Sequence, residues 1–169
     1  QAIYELIGEK ISKMFNAQSF LISSFDHEKR VSKLEYSIEA GERLYDDELL
    51  PFSVANEYMI ETRQPIIINE NAAEESAKYG LKQIEGTAIA KALIFVPFGT
   101  GDKVNGYFSL QNFEHEHAFS ESDIRLLETL AGSMGIALES ARLFDETQHL
   151  LKITEDRAAE LAIINSVSE

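Results

Sequence analysis

Three consecutive segments decide the fold: Ala92-Leu93-Ile94-Phe95-Val96-Pro97-Phe98, the turn Gly99-Thr100-Gly101-Asp102-Lys103, and Val104-Asn105-Gly106-Tyr107-Phe108-Ser109-Leu110-Gln111. The first is a short apolar run and the last alternates with period two, so the pair reads as a β-hairpin. A helix start follows at Phe119-Ser120-Glu121-Ser122-Asp123-Ile124. Ser120 is placed to cap the free amides, with Asp123 three residues on as in a capping box. Phe119 and Ile124 flank them as a hydrophobic staple. No Pro follows Pro97, so nothing stops this helix before the end of the chain.

From Glu121 to Ser168 such a helix runs roughly 70 Å. A globule of ~120 residues covers about half of that, so the outer half, beyond Phe144, is expected to leave the domain. The inner half carries a packing stripe of Leu127, Leu130, Met134, Ala137, Leu138 and Ala141. It also carries Ala131, Gly132 and Gly135. A mid-helix Gly costs about 1 kcal/mol against Ala, which points to close approach of a neighbouring element.

Upstream, Ile3, Leu6, Ile7, Ile11 and Met14 recur at helical spacing, so Ala2 to Phe15 reads as an amphipathic helix ended by Asn16. Ser19 to Phe25 and Val31 to Ala40 read as strands joined by the polar turn Asp26 to Arg30. Gly41 and the acidic run Glu42 to Glu48 read as a loop. Ser53 opens a helix from Val54 to Thr62, closed by Arg63-Gln64-Pro65. Ile66 to Ile68 is a short buried strand. Asn69 is expected to cap a brief helix from Ala72 to Tyr79, ended by Gly80. Leu81 to Ala90 reads as a lid or a short crossing helix. This order gives an α+β fold: an antiparallel sheet with the terminal helices on one face and the segment Leu49 to Ala90 on the other.

Composition narrows the function. The chain's 169 residues carry 15 basic and 29 acidic side chains, a net charge of −14. That balance opposes binding to nucleic acid or an anionic membrane. No apolar run is long enough for a membrane span and no signal-peptide pattern opens the chain, which sets the expected location in the cytoplasm. Cysteine is absent, which removes disulfides, thiolate zinc sites, thiol catalysis and thioether-linked chromophores.

The pattern Ala92–Phe98, Gly106-Tyr107-Phe108-Ser109-Leu110, Phe119-Ser120-Glu121-Ser122-Asp123, Leu126-Leu127 and Ala137-Leu138-Glu139-Ser140-Ala141-Arg142-Leu143 resembles the GAF domain family. The resemblance covers residues 2–144, which sets the expected domain at 1–144 and a connecting helix at 145–169. Such connectors occur in bacterial multi-domain histidine kinases and nucleotide cyclases. The resemblance implies a non-catalytic sensory module of a larger two-component or related signalling protein. Its small-molecule ligand would lie on the sheet face away from the terminal helices. Bilin-binding members and the methionine sulfoxide reductases of this fold rely on cysteine, which is missing here. Cyclic-nucleotide binders often carry Asn-Lys and Phe-x-x-x-Asp-Glu. Asn112 is followed here by Phe113, and Asp123 by Ile124, so that ligand stays open and no cofactor is assigned.

Alternation puts Val104, Phe108 and Leu110 toward the helices and Tyr107, Ser109 and Gln111 toward the ligand face. Tyr58, Tyr79 and Phe95 supply apolar walls. The same aromatics equally serve to fill that space, which leaves a ligand-free dimerisation and spacer module as the alternative. Glu114-His115-Glu116-His117 offers imidazoles and carboxylates, but no third partner is near in sequence and a solvated loop is the stronger reading. His27, in a turn, and His149, on the long helix, read as surface residues. Gly99-x-Gly101 precedes a strand and so is no phosphate loop. Beyond Phe144, a heptad seam of Leu143, Thr147, Leu150, Thr154, Arg157, Leu161 and Ile164 predicts a parallel homodimer, with Leu143, Leu150, Leu161 and Ile164 as its apolar contacts. The N-terminal helix is expected to join it in a four-helix bundle.

Overall fold

A computed structural model describes residues 2–15, 18–81 and 89–167. Asn16 and most of the segment read as a lid, residues 82–88, lie outside the described residues. The chain divides into two units, residues 1–135 and 136–169.

The first unit is built on α1 (Ala2–Met14), β1 (Ser19–Asp26), β2 (Val31–Glu39), β3 (Glu42–Leu44), β4 (Leu49–Pro51), α2 (Val54–Thr62), β5 (Ile66–Ile68), α3 (Ala72–Lys78), β6 (Ala92–Thr100) and β7 (Lys103–Asn112). The described strands form one antiparallel sheet in the order β3-β2-β1-β7-β6-β5, with β4 also paired to β2. The decisive hairpin lies at the centre: β7 pairs with β6 on one side and with β1 on the other.

Alternation divides the sheet into two faces. Phe20, Ile22, Ile94, Phe108 and Leu110 are fully buried on one. Phe20 meets Tyr36 and Phe108 with ring centroids 6.0 Å apart in each pair. α1 and the part of the last helix up to Gly135 cover this face. α1 seats on β2 at Gly8, where a Cβ would fall 2.5 Å from the Tyr36 ring. The last helix, α4 (Glu121–Val167), begins where expected. Ser120 Oγ accepts from the Asp123 amide at 3.2 Å, and the Asp123 carboxylate accepts from the Ser120 amide at 2.8 Å. Phe119 is buried beside this cap.

The stripe on α4 is Leu127, Ala131, Met134 and Gly135. Leu130 is half-buried and Ala141 exposed, so the expected stripe is shifted. The reason is Gly135: a Cβ there would lie 2.1 Å from the carbonyl oxygen of Gly99. The smallest residues therefore face the hairpin. Gly132 has open space around its Cβ position, so close approach accounts for only one of the two glycines.

Three other expectations are corrected. The acidic loop opens with a short strand, β3, and a second, β4, follows directly after it; both pair with β2. Three-residue strands show no readable period, and pairing with a longer strand decides them. The β6–β7 turn is narrower than read, because the strands run to Thr100 and from Lys103, leaving Gly101-Asp102 with Gly101 at φ 59°. Asn69 does not cap α3. Asn71 occupies that position without a side-chain cap bond, while Asn69 Nδ2 donates to the Phe119 carbonyl at 2.8 Å and its Oδ1 accepts from the Phe119 amide at 3.3 Å. It pins the loop that leads into α4.

The second unit is helical through Val167. Leu143, Phe144, Leu150, Leu151, Leu161, Ile163 and Ile164 are exposed along it.

Candidate functional site

The candidate site is the sheet face covered by α2 and α3. Ser53 starts α2 through a reciprocal bond with Asn56: the Asn56 amide donates to Ser53 Oγ and the Ser53 amide to Asn56 Oδ1. Arg63 ends the helix in the left-handed conformation at φ 58°. Between these caps, Ala55, Asn56 and Met59 turn inward. Ala55, Met59, Ile66, Ile68, Ala72 and Phe95 form a buried cluster against which Tyr58, Tyr79, Tyr107, Phe25, Leu81 and Leu93 pack.

The structure brings together four of the six expected residues. Tyr58 and Tyr79 meet edge to face at 5.1 Å, and the rings of Phe95 and Tyr107 lie tilted at 5.8 Å. Ser109 sits on the same strand face as Tyr107, between Leu21 of β1 and Phe95 of β6. Gln111 lies one step further along, opposite Ser19 and Leu93, and is not part of the cluster.

Three contributors escape a sequence reading. Phe25 stacks on Tyr107 at 5.7 Å, and the Tyr107 hydroxyl is hydrogen-bonded with the side chains of Ser23 and Asn56. Burial pushes the Tyr107 hydroxyl above its ordinary pKa, and those two hydrogen bonds partly offset the rise. Period-two alternation on β1 marks Ser23 and Phe25 as facing the same side. Nothing local marks Asn56, which reads only as a helix-start residue.

Ser109 is 1% exposed, and its Oγ has no hydrogen-bond partner. A buried hydroxyl left unmet costs about 1–3 kcal/mol, so among the described residues Ser109 gives this face a buried point of unused polar capacity. The arrangement offers apolar walls, a satisfied Tyr–Ser–Asn group and one free hydroxyl. Among the described residues no three His, Asp or Glu side chains converge as metal ligands.

Two of the four histidines tie elements together, while His149 is exposed on α4 as read. His27 is half-buried, with Nε2 2.7 Å from the Val104 carbonyl and its ring against Phe25 and Phe52, so its turn is docked onto β7. His117 Nε2 lies 3.3 Å from Glu70, and Glu116 accepts from the Asn71 amide at 3.0 Å. That loop is stitched to the β5–α3 connection.

A family model described as GAF domain matches residues 1–139. The chain belongs to the GAF domain family. Solved GAF structures share the fold. The blue-light absorbing form of the Thermosynechococcus elongatus PixJ GAF domain superposes with a TM-score of 0.67 at 17% identity, covering 89% of this chain and 90% of that one. The second GAF domain of DevS from Mycobacterium smegmatis gives 0.66 at 11% identity, with 86% and 97% covered. A domain described as part of a two-component sensor histidine kinase from Sinorhizobium meliloti 1021 gives 0.59 at 18%, with 87% and 95% covered. No curated protein sequence matches the chain. At these identities the likeness is one of fold, and this GAF domain shares it over most of each chain.

Proposed function

We propose that this GAF domain is a non-catalytic sensory module of a larger signalling protein, and that it binds a small molecule on the α2–α3 side of the sheet. The observation that carries the reading is Ser109. A fully buried hydroxyl without a partner, set among Phe95, Leu21 and Tyr107, is satisfied at little cost by one polar atom of an otherwise apolar ligand. Binding there shifts the terminal helices, and α4 passes the shift to the next domain. The proposal sets the module in the cytoplasm, in keeping with its acidic charge and lack of cysteine. Among the described helices none is long and apolar enough to cross a membrane. Native mass spectrometry of the purified chain tests the reading. A bound small molecule lost in Ser109→Val supports it. An unliganded mass, with no thermal shift across a metabolite library, refutes it.

A second reading is a homodimer through α4, either alongside ligand binding or as the sole role. Two observations favour it. Leu143, Leu150, Leu161 and Ile164 are exposed on one seam. The seam threonines are internally satisfied: Thr147 Oγ1 donates to the Leu143 carbonyl at 2.8 Å and Thr154 Oγ1 to the Leu150 carbonyl at 2.9 Å. Burying them against a second copy therefore leaves no hydroxyl unmet. The aromatic filling of the α2–α3 face keeps the ligand-free version in play. Sedimentation decides: a dimer converted to monomer by Leu150→Glu supports the seam. A monomer at high concentration, unchanged on deleting residues 145–169, refutes it.

A further inference from the structure

The helix side of the sheet holds a second built feature, centred on Arg43 of β3. Its Nη2 donates to Glu5 of α1 at 2.6 Å, and its Nη1 donates to the carbonyls of Ser37 and Leu44, each at 2.7 Å. The guanidinium carbon lies 3.9 Å from the centre of the Tyr36 ring and 4.7 Å from that of Tyr45. The Arg43 side chain is 20% exposed, whereas the other lysines and arginines in described ion pairs are 53–71% exposed. Surface pairs of that kind contribute little. This one is shielded, forked and stacked, which is where an arginine holds most firmly.

Its position gives it a consequence for α1. Tyr36 is gripped by Arg43 and also by Gly8, whose missing Cβ lets the helix backbone rest on the ring. Further along α1 Ile11 is buried in the core, and the seating is incomplete only on the helix's polar flank. A cavity of about 600 Å³ opens between Glu9, Ser12 and Lys13 of the helix and Ile38 and Gly41 of the β2–β3 hairpin. Arg43 also carries a penalty in the closed position, because its Nε is buried without an acceptor. The contact is strong in its fork and stack yet offset by one unmet donor, with space beside it.

We propose that α1 is a strap whose closed position is held by Arg43, and that it releases locally while the central strands stay folded. This rests on the sensory reading of the module, because it gives the N-terminal helix a defined way to respond to events at the β2–β3 edge. Hydrogen exchange with mass spectrometry on the full chain tests it. Arg43→Ala should speed exchange of the α1 amides about tenfold, equivalent to roughly 1.4 kcal/mol, with β1 and β7 unchanged. Glu5→Gln, which keeps the stack and both carbonyl bonds and so preserves the fold, should act in the same direction. Unchanged α1 exchange in Glu5→Gln would overturn the strap. So would α1 and the central strands speeding up together, since that marks global unfolding. Neither result depends on what occupies the α2–α3 face, so the strap and the ligand reading fail separately.

Discussion

Two glycines three residues apart on α4 should respond to the same substitution with opposite signs. At Gly132 a Cβ meets nothing within 4 Å, so Gly132→Ala should gain most of the helix-propensity difference. That is about 0.5–1 kcal/mol. At Gly135 the added Cβ lies 2.1 Å from the Gly99 carbonyl oxygen, 2.8 Å from its carbon and 3.1 Å from its nitrogen. All three are backbone atoms of a hairpin held between two strands, so none can swing aside as a flexible side chain would. Ordinary contact begins at 3.4 Å, so relief needs about 1.3 Å of separation between helix and hairpin, which would loosen the packing around Leu127, Ala131 and Met134. Overpacking of this kind costs about 1–3 kcal/mol, or more where only backbone can yield. After the propensity gain, Gly135→Ala should be destabilised by about 1–2 kcal/mol. Urea denaturation measures both, with a shift of roughly 0.5 M in midpoint per kcal/mol. A Gly135→Ala variant as stable as the parent, or a destabilised Gly132→Ala, would refute the packing argument.

Ser120→Ala should lose about 0.5–2 kcal/mol, because the Asp123 amide then loses its cap acceptor; an unchanged denaturant midpoint would show otherwise. Asn69→Ala should cost about 1–3 kcal/mol, since it leaves both the amide and the carbonyl of Phe119 unmet, and faster hydrogen exchange at the start of α4 is the readout. Tyr4 is pushed up to about 12, first by burial and then by the nearby Glu35 carboxylate, and Tyr107 is also raised. A raised folded pKa means that the stabilisation is complete below the unfolded value of about 10 and is lost as pH rises through the folded one. The domain should therefore weaken between about pH 10 and 12. Tyr4→Phe should flatten that loss, and an identical alkaline limb in the two proteins would count against the assignment.

The sequence carries some of this plainly and hides the rest for identifiable reasons. The hairpin and the α4 cap are legible because each signal is local: alternation within β7, and a Ser and an Asp three residues apart. The short strands β3 and β4 are invisible because their cause lies in the free edge of β2, and three residues are too few to show a period of their own. Asn69 misleads for a related reason. An Asn before a helix reads as a cap, yet its side chain bonds fifty residues away to Phe119. The α4 stripe is displaced because apolar spacing alone cannot show that Ala131 and Gly135, rather than Leu130 and Ala141, face inward. Contact with Gly99 decides it.

The candidate site follows the same division. Tyr107, Ser109 and Gln111 share a face by alternation, and that much is sequence information. What separates them is who stands opposite. Tyr107 pairs with Ser23 and lies near Asn56, so its hydroxyl is met. Gln111 sits at the end of the strand, opposite Ser19, and remains half-buried. Ser109 falls opposite Leu21 on one side and Phe95 on the other, two residues that offer no polar side-chain atom. Its isolation is a product of register, which sets the β6–β7 hairpin against β1 from the far end of the chain. A serine at that point could be exchanged for alanine without losing a single protein hydrogen bond, so its hydroxyl has no structural employment within the fold. Ser109→Ala should accordingly stabilise the empty domain by about 1 kcal/mol and weaken only a form that carries a ligand. The sign of that one change, measured with and without bound material, separates a sensing face from a merely filled one.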